Sequence, residues 1–298
     1  MIDPSRYTLT TQILTLCHMG GIGPRMFESL VRAFGSAGSI LSASDSELDT
    51  ISAGAADMVR TAFDGLEHAE ELLAGLKQRD ISIINRFEED YPATLLELND
   101  PPSLIFVRGL APVNQVKSVA LLGADSASNQ GIELTTRLAR EFAGQDLQII
   151  SSLSGGIANA AHLASKAAGG RSFAVIDSGF DHLERDADIP LAIDVAQSGG
   201  VVSEYLPDRQ ASDNSWQDCH RLIVGLAHAV VVPEIYADSE RALDVVKFCN
   251  QIGKLLFVVI DPEIGALADE SSLTYATQNG AVTIEGMDEV EMIIGALV

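Results

Sequence analysis

Positive charge is what this chain has least of. Its 298 residues hold 19 Lys and Arg against 42 Asp and Glu, a formal charge of −23 spread along the whole length instead of gathered in an acidic tail. Proteins that hold nucleic acid without regard to sequence gain affinity by neutralising phosphates. The global balance therefore argues against tight non-specific binding and leaves room only for a local basic patch. An organism whose proteins are acidic and salt-adapted throughout accounts for the same charge with no change of partner. Aromatic residues are also scarce, at 5%, so few positions can stack a base. The three cysteines, Cys17, Cys219 and Cys249, argue against a disulfide framework, lack metal-ligand spacing and fit a reducing compartment. No apolar run is long enough to span a membrane, and the first residues, MIDPSRYTLTTQ, lack the basic and apolar regions of a signal peptide. A cytoplasmic chain without membrane attachment is expected.

Signatures of catalysis are missing too. There is no GxxxxGK[ST] loop, so ATP hydrolysis is unsupported. The glycine turn at Gly123 lacks the full dinucleotide fingerprint, and no acidic residue closes the second strand, which argues against a nicotinamide cofactor. A nucleoside-monophosphate hydrolase would need a carboxylate and an arginine converging on that loop, and no local pair stands there. His18, His182, His220 and His228 show no metal-binding spacing. Cys219 and His220 are neighbours, but neighbouring helical residues point about 100° apart, so a thiolate dyad is not expected. His162, on a helical stretch among alanines, reads as a buried core histidine. No cofactor and no metal is expected.

What the chain does have is a strand, turn and helix rhythm. Val119–Leu122 is a short apolar run ending on Gly123, and a helical pattern covers Ile132–Ala143. Leu147–Ile150 runs into Ser151-Ser152-Leu153-Ser154-Gly155-Gly156 and a helix over Ile157–Ala168. Further strands are expected at Ser172–Ile176, Gly199–Tyr205, Ala229–Val232 and Leu255–Ile260. Each run stops at small or polar residues, where a parallel sheet offers its carboxyl ends to a ligand. The fold class is α/β: a Rossmann-like, parallel-rich sheet with helices on both faces, preceded by a small all-helical domain. Residues 1–80 form the helical domain and 81–298 the Rossmann domain, with 81–115 as a linker and edge strand, the latter at Leu104–Val107. In the helical domain, a helix over Leu9–Cys17, the turn Gly20-Gly21-Ile22-Gly23 and a helix starting at Pro24 have the layout of a helix-hairpin-helix unit. A structural hairpin and a DNA contact fit equally well. Arg25 and Arg32 are the cations placed to help, offset by Glu28.

The order of these motifs resembles the DNA-processing protein A family, also called DprA or Smf, over nearly the whole length. Tyr91-Pro92, Asp100-Pro101-Pro102 and Phe106-Val107-Arg108-Gly109 look like its linker. Val119–Gly123 with Ser128 and Gly131 looks like its first phosphate-facing loop. Ser151, Leu153, Gly156, Ile157 and His162 are similar to its second. Ser203-Glu204-Tyr205, Arg221–Leu226, and Glu234 with Ser239 look like later segments of the pattern. The resemblance implies a non-enzymatic protein that binds single-stranded DNA, passes it to a RecA-type recombinase during natural transformation, and works as a homodimer. No counterpart of the winged-helix extension of some relatives is expected after Met287–Leu297.

The family pattern places cations around the crevice, and here most are replaced. Asp125 stands at the first loop's arginine, and Gly155 and Ala158 at the arginine and aspartate of the second. Arg185-Asp186-Ala187-Asp188-Ile189 replaces a YPxxN element, Cys219 and His220 take an arginine and an asparagine position, and Glu240 replaces a glycine. A carboxylate repels the phosphate that an arginine holds. The remaining candidates for DNA or phosphate are Gly123, Ser126, Ser128, Ser151, Gly155, Gly156, Lys166, Arg171, Arg185, His220 and Arg221, with His162, Ser152 and Ser154 beside them. Gly123 and Gly156 either admit a ligand to the backbone or turn the chain sharply. Trp216 and Tyr205 either stack bases or pack the core. The alternative reading is a diverged Rossmann ligand-binding or protein-interaction module that has lost DNA binding, its serine-lined crevice suited to a small phosphate or nucleotide.

Overall fold

The structure, a computed structural model, describes residues 3–183, 188–236, 240–260 and 268–297, with the backbone alone at 240–242. The chain divides into two compact units, Met1–Tyr91 with Asp100–Val107, and Pro92–Asn99 with Arg108–Val298.

The first unit is built on six helices: α1 (Leu9–Leu14), α2 (Pro24–Phe34), α3 (Ala37–Ser42), α4 (Asp45–Ile51), α5 (Ala55–Asp64) and α6 (Leu66–Gln78). Such short helices depend on their ends. Thr8 and Ser36 accept the Thr11 and Ser39 N–H groups, and Ser44 and Glu47 form a capping box. Each cap stabilises its helix by about 1 kcal/mol. Ile13, Leu14, Leu16, Phe27, Leu30, Ile40, Leu41 and Leu48 fill the core with no exposure.

The Gly-Ile-Gly turn serves packing. A Cβ on Gly20 would sit 2.6 Å from the Met58 carbonyl, Gly21 has φ +69°, and Ile22 is buried. Arg25 faces Asp100 at 3.8 Å, and Glu28 holds both Arg32 and Arg86, at 3.0 and 2.8 Å. The cations near the hairpin are thus answered by carboxylates. Strands β1 (Ile81–Asn85) and β2 (Leu104–Gly109) follow, with β1 outermost in the strand order and β2 second. Leu104–Val107, expected as an edge strand, forms β2 with four consecutive buried residues.

In the second unit seven strands lie in the order β6-β5-β4-β3-β7-β8-β9. They are β3 (Ser118–Leu121), β4 (Gln148–Ser151), β5 (Ser172–Val175), β6 (Gly200–Ser203), β7 (Ala229–Val232), β8 (Leu255–Ile260) and β9 (Val282–Glu285). Every pair along this run is parallel. Continuous burial of β3 through β7, without alternation, is what a sheet covered on both faces demands.

Its helices are α7 (Asn129–Gly144), α8 (Gly156–Ala167), α9 (Asp188–Ser198), α10 (Ser215–Leu226), α11 (Glu240–Ile252), α12 (Glu270–Gln278) and α13 (Val290–Leu297). One face is sealed by α7, α8 and α13 through Leu134, Leu138, Phe142, Ala161, Ile293 and Leu297 against Val119, Ile149, Val231 and Phe257. Helix α10 lies over β3, β4 and β5 on the other face, with Leu222, Ile223 and Leu226 buried. Helix α7 begins three residues before the expected Ile132, because Ser128 caps it by accepting the Gly131 N–H.

Gln148 ties the start of β4 to the chain before β3. Its amide accepts from the Val113 N–H at 2.8 Å and donates to the Val113 and Val116 carbonyls at 3.0 and 2.8 Å. At the sheet's outer margin, the Glu289 carboxylate accepts the Glu285 N–H of β9 at 2.7 Å.

Candidate functional site

The direction of the connections reverses between β3 and β7. The chain leaves β3 toward β4, and leaves β7 toward β8 on the other side. At such a switch point the loops part, and open α/β sheets bind ligands there. In this chain the gap is taken by Glu234, which is 1% exposed. Both carboxylate oxygens accept the Ser128 N–H at the head of α7, at 3.2 and 3.0 Å. The Tyr236 hydroxyl also bonds to Glu234, and burial together with that carboxylate raises the phenol above its ordinary range. Gly131 has no side chain because none would fit: a Cβ there would lie 2.0 Å from Glu234 Oε2.

The head of α8 is closed in the same manner. Ile157 donates its N–H to the Ala124 carbonyl at 3.3 Å, and Gly156, at φ +39°, lies so near that a Cβ would be 2.3 Å from that oxygen. Gly123 packs on Ile157 and the Glu234 carbonyl, where a Cβ would meet atoms at 2.8 and 3.1 Å. Both glycines therefore face the protein's own atoms. Ser128 is spent on its cap, and Ser151 is buried with its hydroxyl donating to the Leu121 carbonyl at 2.6 Å. Gly155, at φ +102°, turns the second loop, and Ser126 is exposed on the first.

Beside the switch point, a crevice of about 250 Å³ opens over the ends of β4 and β5. Its polar lining is Asp125, Ser152, Ser154, Asp177, Ser178, Asp188 and His220, with Trp216 on the wall. The Ser152 and Ser154 hydroxyls are paired at 2.7 Å, and His162 Nε2 lies 2.9 Å from the Ser152 carbonyl. Burial pushes the His162 imidazole down to about 4, which keeps it neutral and fixes the second loop from beneath. Helix α10 presents Trp216 and His220 edge to face, ring centroids 5.5 Å apart, and turns Cys219 inward, where its thiol donates to the Val175 carbonyl at 3.4 Å. Three of the crevice's groups, Asp125, Asp177 and Asp188, are carboxylates.

The candidate cations do not gather here. Lys166 sits in the last turn of α8, which starts at the carboxyl edge of the sheet and runs back, and it pairs with Asp194 at 2.9 Å. Arg171 immediately precedes β5, and its carbonyl accepts the Ile149 N–H at the start of β4. Both therefore lie at the opposite, amino edge, a correction to their expected place at the crevice. They follow the second loop in sequence, but the helix between carries them away from it. Arg221 donates to Glu204 with both side chains 14% exposed. Nearby, the Tyr205 hydroxyl donates to Asp218 at 2.6 Å, and Arg209 stands 5.8 Å over the Tyr205 ring. Ala158 is buried. Arg185 lies outside the described residues, as does the side chain of Glu240.

Asp177 and Asp188 escaped the sequence reading as crevice residues, although Asp177 lies just past the end of β5 and Asp188 opens α9. Glu234 lies two residues past the end of β7, the strand beside β3, and its contact with Ser128 is made only by the fold. Among the described residues, no group of three or more His, Cys, Asp or Glu could hold a metal ion, and no helix is long and apolar enough to cross a membrane.

Residues 82–293 match the family model of DNA recombination-mediator protein A. The chain belongs to this family. It is 26% identical over 199 residues to DNA processing protein DprA of Bacillus subtilis, covering 65% of this chain and 67% of that one. It is 32% identical over 163 residues to the Streptococcus pneumoniae protein, covering 53% and 57%. The chain thus spans between about half and two thirds of these relatives' lengths. The X-ray structure of DprA from Streptococcus pneumoniae superposes with a TM-score of 0.80 over 96% of this chain and 98% of that one, at 21% identity. The Helicobacter pylori DNA processing protein A, described with a single-stranded DNA binding mode, gives 0.62 over 73% and 97%, at 20% identity. At such identities the likeness is one of fold.

Proposed function

We propose that this chain binds single-stranded DNA and delivers it to a RecA-type recombinase, without catalysing a reaction, as a cytoplasmic homodimer. The observation that carries the reading is family membership across 82–293, together with a fold that follows a DprA structure over 96% of the chain. The Helicobacter pylori relative's binding of single-stranded DNA supports the choice of ligand. Of the cations near the carboxyl edge, Arg209 and Arg221 are the ones we assign to phosphate, with Trp216 and Tyr205 offering faces to bases. Ser126, Gly155 and His220 border the same region and are kept as candidate contacts.

So few cations imply a shallow salt dependence. Each phosphate neutralised on a single strand contributes about −0.7 to the slope of log affinity against log salt, so two arginines give about −1.4. Fluorescence anisotropy of labelled oligo-dT across a salt series tests this. Binding with that slope, weakened by Arg221→Ala, supports the reading. Absence of binding at low salt defeats it.

A second reading rests on the three carboxylates that line the crevice. Asp125, Asp177 and Asp188 suit a cationic or polyhydroxyl small molecule, and such a chain would be a ligand-binding module on the family's scaffold. Failure of DNA binding alongside a thermal shift with an amine or a nucleoside would favour it.

A further inference from the structure

We propose that Glu234 is a specificity-determining residue: its carboxylate takes the place of a ligand phosphate at the head of α7 and closes the switch point to anions. A helix of 16 residues concentrates partial positive charge at its amino end, and its first N–H groups lack partners within the helix. Those two features make a helix head attract phosphate. Here the chain supplies the anion itself. Both oxygens of Glu234 reach the Ser128 N–H, Ser128 Oγ takes the Gly131 N–H, and Oε2 lies over the Cα of Gly131 closely enough to exclude a methyl group. Burial at 1% exposure leaves no path for a second anion to share the position.

Two consequences follow for ligand choice. A nucleotide cannot seat its phosphate between β3 and β7, where this strand order would otherwise receive it. Any bound strand must run its phosphates clear of the switch point. The proposal concerns anion exclusion alone and stands apart from whether DNA binds.

The test uses the full chain, with inorganic phosphate as the probe and chloride at matched ionic strength as the control. Wild type should show no phosphate-specific change in thermal midpoint. Glu234→Ala should melt lower in chloride, and saturating phosphate should raise its midpoint by about 4 °C or more. Equal responses of the two proteins, or none in either, overturn the proposal. A second measurement holds even where Glu234→Ala folds poorly. Gly131→Ala should be strongly destabilising in wild type and markedly less so beside Glu234→Asp, whose carboxylate is drawn back by one carbon. An identical cost of Gly131→Ala in both backgrounds also overturns it.

Discussion

Arg221 Nη2 donates to the Glu204 carboxylate, and each side chain is 14% exposed. The cation assigned to DNA is therefore held by an internal acid that a phosphate would have to displace or share. Glu204→Gln should loosen that hold and raise oligo-dT affinity several-fold in the anisotropy assay. It should also cost about 1–3 kcal/mol in denaturant unfolding, through the lost charge-assisted hydrogen bond. Unchanged affinity beside lowered stability would show that Arg221 serves the fold alone.

Lys166→Ala and Arg171→Ala should leave DNA affinity within error of wild type. Both residues lie at the amino edge of the sheet, a helix length from the crevice, and α8 spans about 18 Å at 1.5 Å per residue. A loss comparable to that of Arg221→Ala would place the nucleic acid on the other side of the sheet.

Acid should destabilise this protein earlier than its carboxylates alone require. Burial pushes His18 and His162 down from 6.5 to about 4. Between those values the unfolded chain takes up protons that the folded one refuses, so stability falls as pH drops through this window. Each histidine contributes a loss of about 3 kcal/mol by pH 4. His162→Gln keeps an amide N–H for the Ser152 carbonyl and cannot titrate. Urea unfolding of this variant should show a flatter profile between pH 6.5 and 4, and an unchanged slope would refute the assignment.

Trp216 is the chain's single tryptophan and lines the crevice. Its emission therefore reports on that region. Oligo-dT should quench it with the same midpoint as the anisotropy change. Anisotropy that rises while emission stays constant would put the DNA away from α10.

How much of this could be read beforehand divides along physical lines. The strands Ala229–Val232 and Leu255–Ile260 were legible to the residue, because a sheet buried on both faces needs unbroken apolar runs. The glycines at 123, 131 and 156 were legible as special positions. What they approach was not: Ser128 and Glu234 are 106 residues apart, and no local spacing announces that they meet. The misplacement of Lys166 and Arg171 has a different cause. Their charge is visible in the sequence, but their side of the sheet is set by α8, because a helix after a parallel strand leads away from the carboxyl edge. The crevice's acidity was visible at Asp125 but not at Asp177 and Asp188, whose loops had to fold before they converged.

The hook of Glu289 over Glu285 bears on how this molecule behaves in a crowded cell. Strand β9 is the last in the order, and alternate N–H groups of an outermost strand face outward, where a stranger's carbonyls can find them. Gly286 donates inward to the Ile260 carbonyl, which leaves Glu285 as the outward donor at the strand's end. A negative side chain already sits on that donor. An incoming strand would have to evict it and then lie beside its charge, so this end of β9 is guarded by an acidic side chain of the chain's own.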